Sequence, residues 1–306
     1  MKKNILIYGG GNIALRHVQS IISEKEISKI YIYDKKKSSL KKMSVFFENY
    51  KYKKKLIFCE NQKIIKNKFF FLVFLCTYAF NRIPLIKKIK ARYNVKYFIV
   101  EKILESNISN FSRIEFNTKN IFVNMPIRNI GPFRIIKTKL NTKKVNATLK
   151  GKNWHMICNS LHYINYISYV TKSSVKNILI KKLDKPYNLI RKNFIDFHGK
   201  ILVSYKNGSK LSLVSEKNTN KHYFNLKQGK KNFIYNFKNE KLFLEKKSFI
   251  CKREYTSELS SKFFKSLLKY KKVKLPTFEE ALEENFIFIK EFLKNIKQKS
   301  YIFKVT

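Results

Sequence analysis

The feature that most constrains the fold is a short apolar segment that runs directly into a glycine-rich turn near the N-terminus. Residues 5–14 read ILIYGGGNIA, which is a strand followed by the pattern G-x-G-x-x-A. In such a unit Gly9 permits a tight turn, and Gly11 lets the backbone approach a pyrophosphate. The helix that begins at Asn12 and Ile13 offers free N–H groups to the phosphates. The pattern predicts a dinucleotide-binding unit.

An acidic residue stands where such a unit needs one, at the end of the second predicted strand. Asp34 follows the apolar segment at residues 30–33, and its carboxylate can accept hydrogen bonds from ribose hydroxyls, which favours NAD. Lys35, Lys36 and Lys37 come next and suit the 2′-phosphate of NADP. The sequence therefore leaves both cofactors open, with NAD slightly favoured.

The first 125 residues alternate short apolar runs with amphipathic stretches, which is typical of βαβ units and a doubly wound parallel sheet. The run at residues 69–80, FFFLVFLCTYAF, is the most apolar. It is well short of the ~20 residues that a membrane span needs, so we interpret it as a buried strand. The predicted strands are residues 5–8, 30–33, 56–59, 70–76, 97–100 and 121–124.

The pattern changes after about residue 140 to period-two segments separated by turn signals, which indicates hairpins and an antiparallel meander. The turns are Asn207-Gly208, Gln228-Gly229 and Asn239-Glu240. A helix is expected at about 158–170, and two more close the chain, the last over 277–297. We predict a Rossmann domain over 1–125 and, over 126–306, an α+β domain with a large, mainly antiparallel open sheet.

Thr277 and Glu280 form a capping-box pattern that should begin the last of these helices.

The formal charge of +46, from 66 Lys and Arg against 20 Asp and Glu, raises the question of nucleic-acid binding. Only eight of the basic residues are Arg, and the lysines are spread along the whole chain instead of concentrating on one element. We therefore expect no specific nucleic-acid partner. The four cysteines and five histidines show no zinc-ligand spacing, so no metal site is predicted. Reduced thiols and the absence of a signal-peptide pattern favour a cytoplasmic protein.

Two groups of polar residues are candidates for chemistry. Glu101 and Lys102 end the fifth strand, and ligands of open α/β sheets bind beyond the carboxyl ends of the strands. Cys158, His162 and Asn165 follow one another at i, i+4 and i+7, so they share one face of the predicted helix. An imidazole titrates near neutral pH and suits a proton acceptor, and a neighbouring ammonium favours its neutral form.

With these motifs the chain resembles the glucose-fructose oxidoreductase, inositol dehydrogenase and rhizopine catabolism family (Gfo/Idh/MocA) over nearly its full length. The matching segments are the glycine turn, Leu75-Cys76-Thr77, Glu101-Lys102 at the Glu-Lys-Pro motif, residues 128–132, and His162 with Asn165 at the His-x-x-Asp motif. The resemblance implies hydride transfer between NAD(P) and a hydroxyl or carbonyl carbon of a sugar, nucleotide sugar or cyclitol. Residues 154–162 are similar to a subgroup associated with bacterial surface-polysaccharide biosynthesis.

The resemblance also implies roles for individual residues. Lys102 would hydrogen-bond the reacting oxygen, and His162 would be the general acid/base. The cofactor would contact Gly9, Gly11, Asn12, Ile13, Asp34, Thr77 and Glu101. The substrate would contact Arg128, Trp154, Asn159 and Asn165, although core packing is an equal alternative for Trp154. We also expect a homo-oligomer formed through the second-domain sheet.

Three positions depart from the family pattern. Ile103 replaces the motif proline, Cys158 stands where an acidic residue is often found, and Asn165 replaces the aspartate. Asn159 and Asn165 would then orient substrate hydroxyls, or the protein has drifted toward low activity. The alternative function is therefore an NAD(P)-binding sensor or scaffold whose catalytic face is degraded.

Overall fold

Two large β-sheets, a two-stranded ribbon and seven α-helices form the regular structure of the described part of the chain, together with four short 3-10 turns. The computed structural model describes residues 2–189, 195–245 and 247–296. Among these residues, no helix combines the length and the apolar character that a membrane crossing requires.

The first sheet is parallel and has six strands in the order β3-β2-β1-β4-β5-β6. The chain begins at the central strand β1, adds β2 and β3 on one side, and then adds β4, β5 and β6 on the other side. The sheet is therefore doubly wound, as the sequence predicts. Its strands are β1 Lys3–Tyr8, β2 Ile27–Tyr33, β3 Leu56–Cys59, β4 Phe69–Leu75, β5 Asn94–Glu101 and β6 Ile121–Asn124. The helices between them are α1 Asn12–Ile21, α2 Lys37–Phe46 and α3 Arg82–Arg92.

All six predicted strands are confirmed, and β4 illustrates why. From Phe70 to Leu75 every side chain is buried, because this strand pairs with β1 on one side and β5 on the other and has both faces covered. A strand buried on both faces has a continuous apolar sequence instead of an alternating one. The most apolar run is therefore an internal strand of the sheet.

The second sheet has eight strands in the order β16-β15-β14-β13-β7-β12-β11-β8. These are β7 Asn146–Lys152, β8 Val175–Leu183, β11 Gly199–Tyr205, β12 Lys210–Glu216, β13 Tyr223–Gln228, β14 Lys231–Asn236, β15 Lys241–Leu244 and β16 Lys247–Ile250. A separate two-stranded ribbon consists of β9 Tyr187–Asn188 and β10 Ile195–Asp196. The three predicted turns do join antiparallel neighbours.

The second sheet is mainly antiparallel, as the sequence predicts, but the predicted antiparallel meander is wrong at its centre. Strand β7 lies between β13 and β12, and its pairing with β12 is parallel. The two strands that follow each other as β12 and β13 are therefore not neighbours. Period-two patterns identify strands but carry no information on which distant strand inserts between them.

The remaining helices are α4 Gly131–Lys139, α5 Met156–Thr171, α6 Thr256–Tyr270 and α7 Phe278–Asn295. Helices α5 and α7 pack on the second sheet and on each other. The predicted capping box begins α7: the Glu280 N–H donates to Thr277 Oγ1, and the Thr277 N–H donates to the Glu280 carboxylate. This helix ends at Asn295, and residue 297 of the predicted range lies outside the described residues.

Helix α6 packs on the first sheet, although it follows the second sheet in the chain. It lies against α1, and its buried Leu259, Phe263, Phe264 and Leu267 belong to the same apolar core as β1 and β2. The C-terminal part of the chain therefore contributes to the cores of both sheets, which ties the two halves of the molecule together.

Candidate active site

The glycine turn after β1 can be built only with glycine at its first position. Gly9 has φ +106°, and a Cβ placed there would lie 2.8 Å from the carbonyl oxygen of Cys76. At Gly11, by contrast, no described atom lies within 4 Å of an added Cβ. Gly9 is therefore needed by the protein itself, whereas the space at Gly11 is open to a ligand.

Helix α1 begins directly at this open space. Its N-cap is Gly11, which has no side chain to cap the helix, and the described first turn carries no acidic residue. Asn12 is exposed and Ile13 is partly exposed. The first N–H groups of a helix have no intrahelical partner and carry a partial positive charge, so this end suits an anionic ligand such as a phosphate.

Asp34 connects the end of β2 to the glycine turn. Its Oδ2 accepts a hydrogen bond of 2.7 Å from the Gly10 N–H, and its Oδ1 accepts one of 2.8 Å from the Lys36 N–H. Each carboxylate oxygen can accept a further hydrogen bond. The partly exposed Asp34 is therefore held rigidly beside the turn and keeps acceptor capacity for hydroxyl groups.

Thr77 follows β4 and lines the same turn, because its backbone nitrogen lies 3.2 Å from the Cβ position of Gly9. Its hydroxyl is buried and has no hydrogen-bond partner among the described residues. Buried hydroxyls are normally paired, so an unpaired one beside an open turn is what a ligand-binding position would show.

Arg82 holds the loops at the carboxyl ends of β4 and β5, and no pattern in the sequence marks it as a site residue. The buried guanidinium donates to the carbonyl oxygens of Thr77, Glu101 and Ile103. Burial lowers the pKa of Arg82 to about 10, with the Glu101 carboxylate opposing the shift. The peptide bond between Lys102 and Ile103 is cis.

The carboxylate of Glu101 is buried in a hydrogen-bond network. His17 Nε2 lies 2.8 Å from Glu101 Oε1, and Asn124 Nδ2 donates to the same oxygen at 2.6 Å. The other imidazole nitrogen of His17 lies 2.7 Å from Ser260 Oγ on α6. Burial raises the pKa of Glu101, but the hydrogen bonds from His17 and Asn124 outweigh it and lower the pKa overall. Glu101 thus ties α1, β5 and β6 together, and direct contact with a cofactor stays a prediction.

Lys102 reaches from the end of β5 to the first turn of α5. Its Nζ donates to the Cys158 carbonyl oxygen at 2.7 Å, to Cys158 Sγ at 2.8 Å and to Asn159 Oδ1 at 3.1 Å. Asn159 in turn donates to the Trp154 carbonyl at 2.8 Å. The two groups of candidates that the sequence singled out therefore meet at this point.

His162 lies one turn further along α5. Its Nδ1 is buried and has no partner within the described ranges. Burial lowers the pKa of His162 well below the ordinary value, and the Lys102 ammonium lowers it further. The imidazole is therefore neutral at neutral pH, which is the form that can accept a proton.

Arg128 and Asn165 lie in the interior, bonded to each other and to α7. Arg128 Nε donates to Asn165 Oδ1 at 2.9 Å, and Asn165 Nδ2 donates to Glu284 Oε2 at 2.8 Å. The Arg128 guanidinium also lies over the ring of Tyr169 and pairs with Glu280 at 3.2 Å. Their polar groups are engaged inside the protein, so the geometry gives no support to direct substrate contact by either residue.

Trp154 is also an interior residue. It is 6% exposed, its Nε1 donates to the Val214 carbonyl at 2.9 Å, and its ring meets Tyr163 edge-on. This is the core packing that the sequence left as an alternative to a stacking role. Of the four residues that the resemblance gives to the substrate, Asn159 is the one with a described hydrogen bond to Lys102.

A carboxylate does stand near the start of α5, but it comes from another element. Asp196 Oδ1, on β10, accepts hydrogen bonds from the N–H groups of Ile157 at 3.0 Å and Phe197 at 2.7 Å. The N-cap residue of α5, His155, has no side-chain capping bond. A carboxylate at a helix N-terminus is stabilising, so Asp196 acts as the cap.

The described residues bring no three His, Cys, Asp or Glu side chains together as a metal centre would require.

Solved structures of oxidoreductases share this fold over nearly the whole chain. An oxidoreductase from Thermotoga maritima is 12% identical, with a TM-score of 0.73 and 95% of each chain covered. A UDP-N-acetylglucosamine 3-dehydrogenase from Acidithiobacillus ferrooxidans is 6% identical, with a TM-score of 0.72, covering 96% of this chain and 97% of its own. A myo-inositol dehydrogenase from Lactobacillus casei, solved with NAD(H) and myo-inositol, is 12% identical, with a TM-score of 0.69 and coverage of 100% and 98%.

The chain therefore has the fold of the Gfo/Idh/MocA-type oxidoreductases, and the family resemblance drawn from its motifs is confirmed at the level of fold. No protein-family model matches the sequence, and no curated protein matches it significantly.

Proposed function

We propose that this protein is an NAD(P)-dependent oxidoreductase that transfers hydride between nicotinamide and a hydroxyl or carbonyl carbon of a sugar, nucleotide sugar or cyclitol. The observation that carries the proposal is the meeting of Lys102 with the first turns of α5, where His162 is neutral, beyond the carboxyl ends of the parallel strands. The solved structures that share this fold include a nucleotide-sugar dehydrogenase and an inositol dehydrogenase.

The residues of the glycine turn fit a dinucleotide. Gly9, Gly11, Asn12 and Ile13 would hold the pyrophosphate, since the turn leaves open space at Gly11 and the start of α1 is uncapped. Asp34 would accept from the adenosine ribose. A fixed carboxylate at that point disfavours a 2′-phosphate, so we propose NAD over NADP, although Lys35, Lys36 and Lys37 are exposed beside it.

On the β4 side of the glycine turn, the Thr77 hydroxyl would bond the nicotinamide half of the cofactor, with Glu101 supporting the wall beside it. When bound, the nicotinamide ring supplies the hydride acceptor or donor.

The protein's own part of the reaction is the movement of a proton at the substrate oxygen. In the oxidative direction, His162 takes the hydroxyl proton while Lys102 donates a hydrogen bond to the same oxygen. The three N–H donors of Lys102 are all engaged, with Cys158 and Asn159 as acceptors. Sulfur is the weakest of these acceptors, so the substrate oxygen would replace Cys158 Sγ.

Arg128, Asn165 and Trp154 would support α5 from inside, and Asn159 would orient both Lys102 and a substrate hydroxyl.

We further propose that residues 1–125 bind the cofactor and that residues 126–306 bind the substrate. The exposed Leu179 and Phe243 of the second sheet would pair with another copy in a homo-oligomer. A cytoplasmic location and a role in bacterial glycan biosynthesis complete the proposal.

The test has two stages. Titration with NADH and NADPH, followed by fluorescence, should show saturable binding, tighter for NADH. Turnover is then measured with NAD+ or NADH over a panel of sugars, cyclitols and nucleotide sugars, in both directions. A protein that binds neither dinucleotide contradicts the proposal.

The second candidate function is an NAD(P)-binding sensor or scaffold. It is favoured by Cys158 and Asn165 at positions where the family pattern has carboxylates, and by the complete internal engagement of the Lys102 ammonium. Tight NADH binding without turnover of any compound in the panel would support this alternative.

A further inference from the structure

The helix cap Asp196 has one carboxylate oxygen that its structural role does not use. The side chain is fully buried, and Oδ1 alone accepts the N–H groups of Ile157 and Phe197. Its Oδ2 is buried with no hydrogen-bond partner in the described part of the chain. Leaving a buried acceptor unpaired is costly, so such an atom marks a position that a ligand completes.

A second unpaired group lies directly opposite. Tyr187 and Asp196 are cross-strand partners in the β9–β10 ribbon, and such pairs place their Cβ atoms ~4.5–5.5 Å apart. The Tyr187 hydroxyl is buried and also lacks a partner among the described residues. Its ring stacks on His198, with centroids 4.6 Å apart, and His198 Nδ1 lies 3.1 Å from Ser215 Oγ. The phenol is therefore held in a fixed place.

Both groups adjoin the proposed catalytic residues. Asp196 bonds the N–H of Ile157, and the next residue, Cys158, accepts from Lys102 through its carbonyl and its sulfur. Burial raises the pKa of the Tyr187 phenol, and the charge of the Asp196 carboxylate raises it further. The unpaired Nδ1 of His162 is one helical turn beyond Cys158.

We propose that Asp196 Oδ2 and the Tyr187 hydroxyl form a subsite for a neutral hydroxyl group on the carbon next to the reacting carbon. The inference rests on the proposed function and narrows its substrates to those with two vicinal hydroxyls. A hydroxyl can donate to the carboxylate and accept from the phenol, whereas a carboxylate at that carbon has no proton to donate. Asp196 thus supplies, from β10, an acidic group of the kind that is missing from positions 158 and 165.

Two variants separate this role from helix capping. Asp196→Asn keeps a carbonyl oxygen that can cap α5 but replaces the second oxygen with an NH₂ group. Tyr187→Phe removes only the hydroxyl and leaves the ring stacked on His198. Tyr93→Phe is a matched control, because the Tyr93 hydroxyl is also buried without a described partner but precedes β5, at the opposite end of that strand from Lys102.

The experiment measures binding to NADH-saturated protein by calorimetry, with myo-inositol, D-glucose and UDP-N-acetylglucosamine as probes. For the tightest probe, Tyr187→Phe and Asp196→Asn should each weaken binding about tenfold or more, as expected for a lost hydrogen bond in a buried site. NADH affinity should be unchanged in both, and Tyr93→Phe should match the wild type. A monodeoxy analogue that lacks the hydroxyl next to the reacting carbon should bind the wild type and Tyr187→Phe with similar affinity, because it has no group for the Tyr187 hydroxyl to bond.

Equal probe binding by the wild type and Tyr187→Phe would overturn the inference even if Asp196→Asn fails to fold. Binding of NADH without binding of any of the three probes would overturn it as well. A wild-type protein that does not bind NADH would contradict the proposed function itself, and the subsite with it.

Discussion

The Nζ of Lys102, at the end of β5, lies 2.8 Å from Sγ of Cys158 in the first turn of α5. This contact joins β5 of the first sheet to α5, the helix that packs on the second sheet. It lies where the sequence predicts the catalytic residues. It also means that Lys102 has a structural partner before any substrate arrives. Substitutions at this position therefore test both anchoring and chemistry.

Lys102→Met should lower kcat/KM by ~10²-fold or more, because it removes the hydrogen bond to the reacting oxygen. NADH affinity should survive, since the glycine turn and Asp34 lie on other strands. Steady-state kinetics and NADH fluorescence titration give the two readouts. Turnover that is unchanged in this variant would remove Lys102 from the mechanism.

The pH dependence of oxidation should depend on His162. Burial and then Lys102 lower its pKa below the ordinary range, so the proton-accepting form is retained as the pH falls through that range. The rate should decrease only below the lowered pKa. Lys102→Met removes one cause of the lowering and should move the acidic limb of its residual rate toward higher pH. His162→Ala should lose this limb altogether, together with ~10²-fold in rate.

The two glycines of the turn should respond differently to alanine. Gly9→Ala introduces a Cβ 2.8 Å from the Cys76 carbonyl at φ +106° and should destabilise the fold by about 1–3 kcal/mol. Gly11→Ala meets no described atom and should keep the wild-type Tm while weakening NADH binding, because the new methyl group enters the pyrophosphate space. Calorimetric unfolding and fluorescence titration distinguish the two; equal Tm values for both variants would contradict this reading.

Arg82→Met should destabilise the protein by roughly 3 kcal/mol, because three buried carbonyl oxygens lose their donor. The free energy of unfolding in urea provides the measurement. Arg16→Met is the control, since Arg16 is exposed and bonds only Gln19 among the described contacts. If Arg82→Met lowers the free energy of unfolding no more than the control does, the hydrogen bonds of Arg82 are not needed for stability.

Glu284 should make the fold less stable as the pH rises. Burial raises its pKa to about 7, above the value of an unfolded glutamate, despite hydrogen bonds from Ser168 and Asn165. Its contribution is therefore complete below the unfolded pKa and is lost as the pH rises through about 7, by on the order of 3 kcal/mol at most. Glu284→Gln should flatten this part of the urea-midpoint profile between pH 5 and 8. The exposed Glu283→Gln should leave the profile unchanged.

Much of the candidate site could be found from local patterns, and its inner support could not. Gly9, Gly11, Asp34 and Lys102 stand at strand ends, where chain order alone places them at one edge of a parallel sheet. Cys158, which contacts Lys102, lies on the face of α5 that helical spacing singled out, but the contact itself is not visible in the sequence. Asp196 and Tyr187 belong to a short ribbon between longer strands, and no spacing relates them to Cys158. Arg82 resembles any other basic residue of a helix until its burial is known.

The sequence by itself determined the strands of the first sheet, the start of α7 and the glycine turn, because these depend on neighbours in the chain: backbone sterics, side-chain periodicity and capping. Only the tertiary structure decided that β7 enters the second sheet between β12 and β13, that α6 covers the first sheet, and that Arg128 and Asn165 face inward. Those outcomes depend on which distant segments bury their apolar surfaces together and which distant polar groups form hydrogen bonds. Such pairing is a property of the whole chain, and short segments do not encode it.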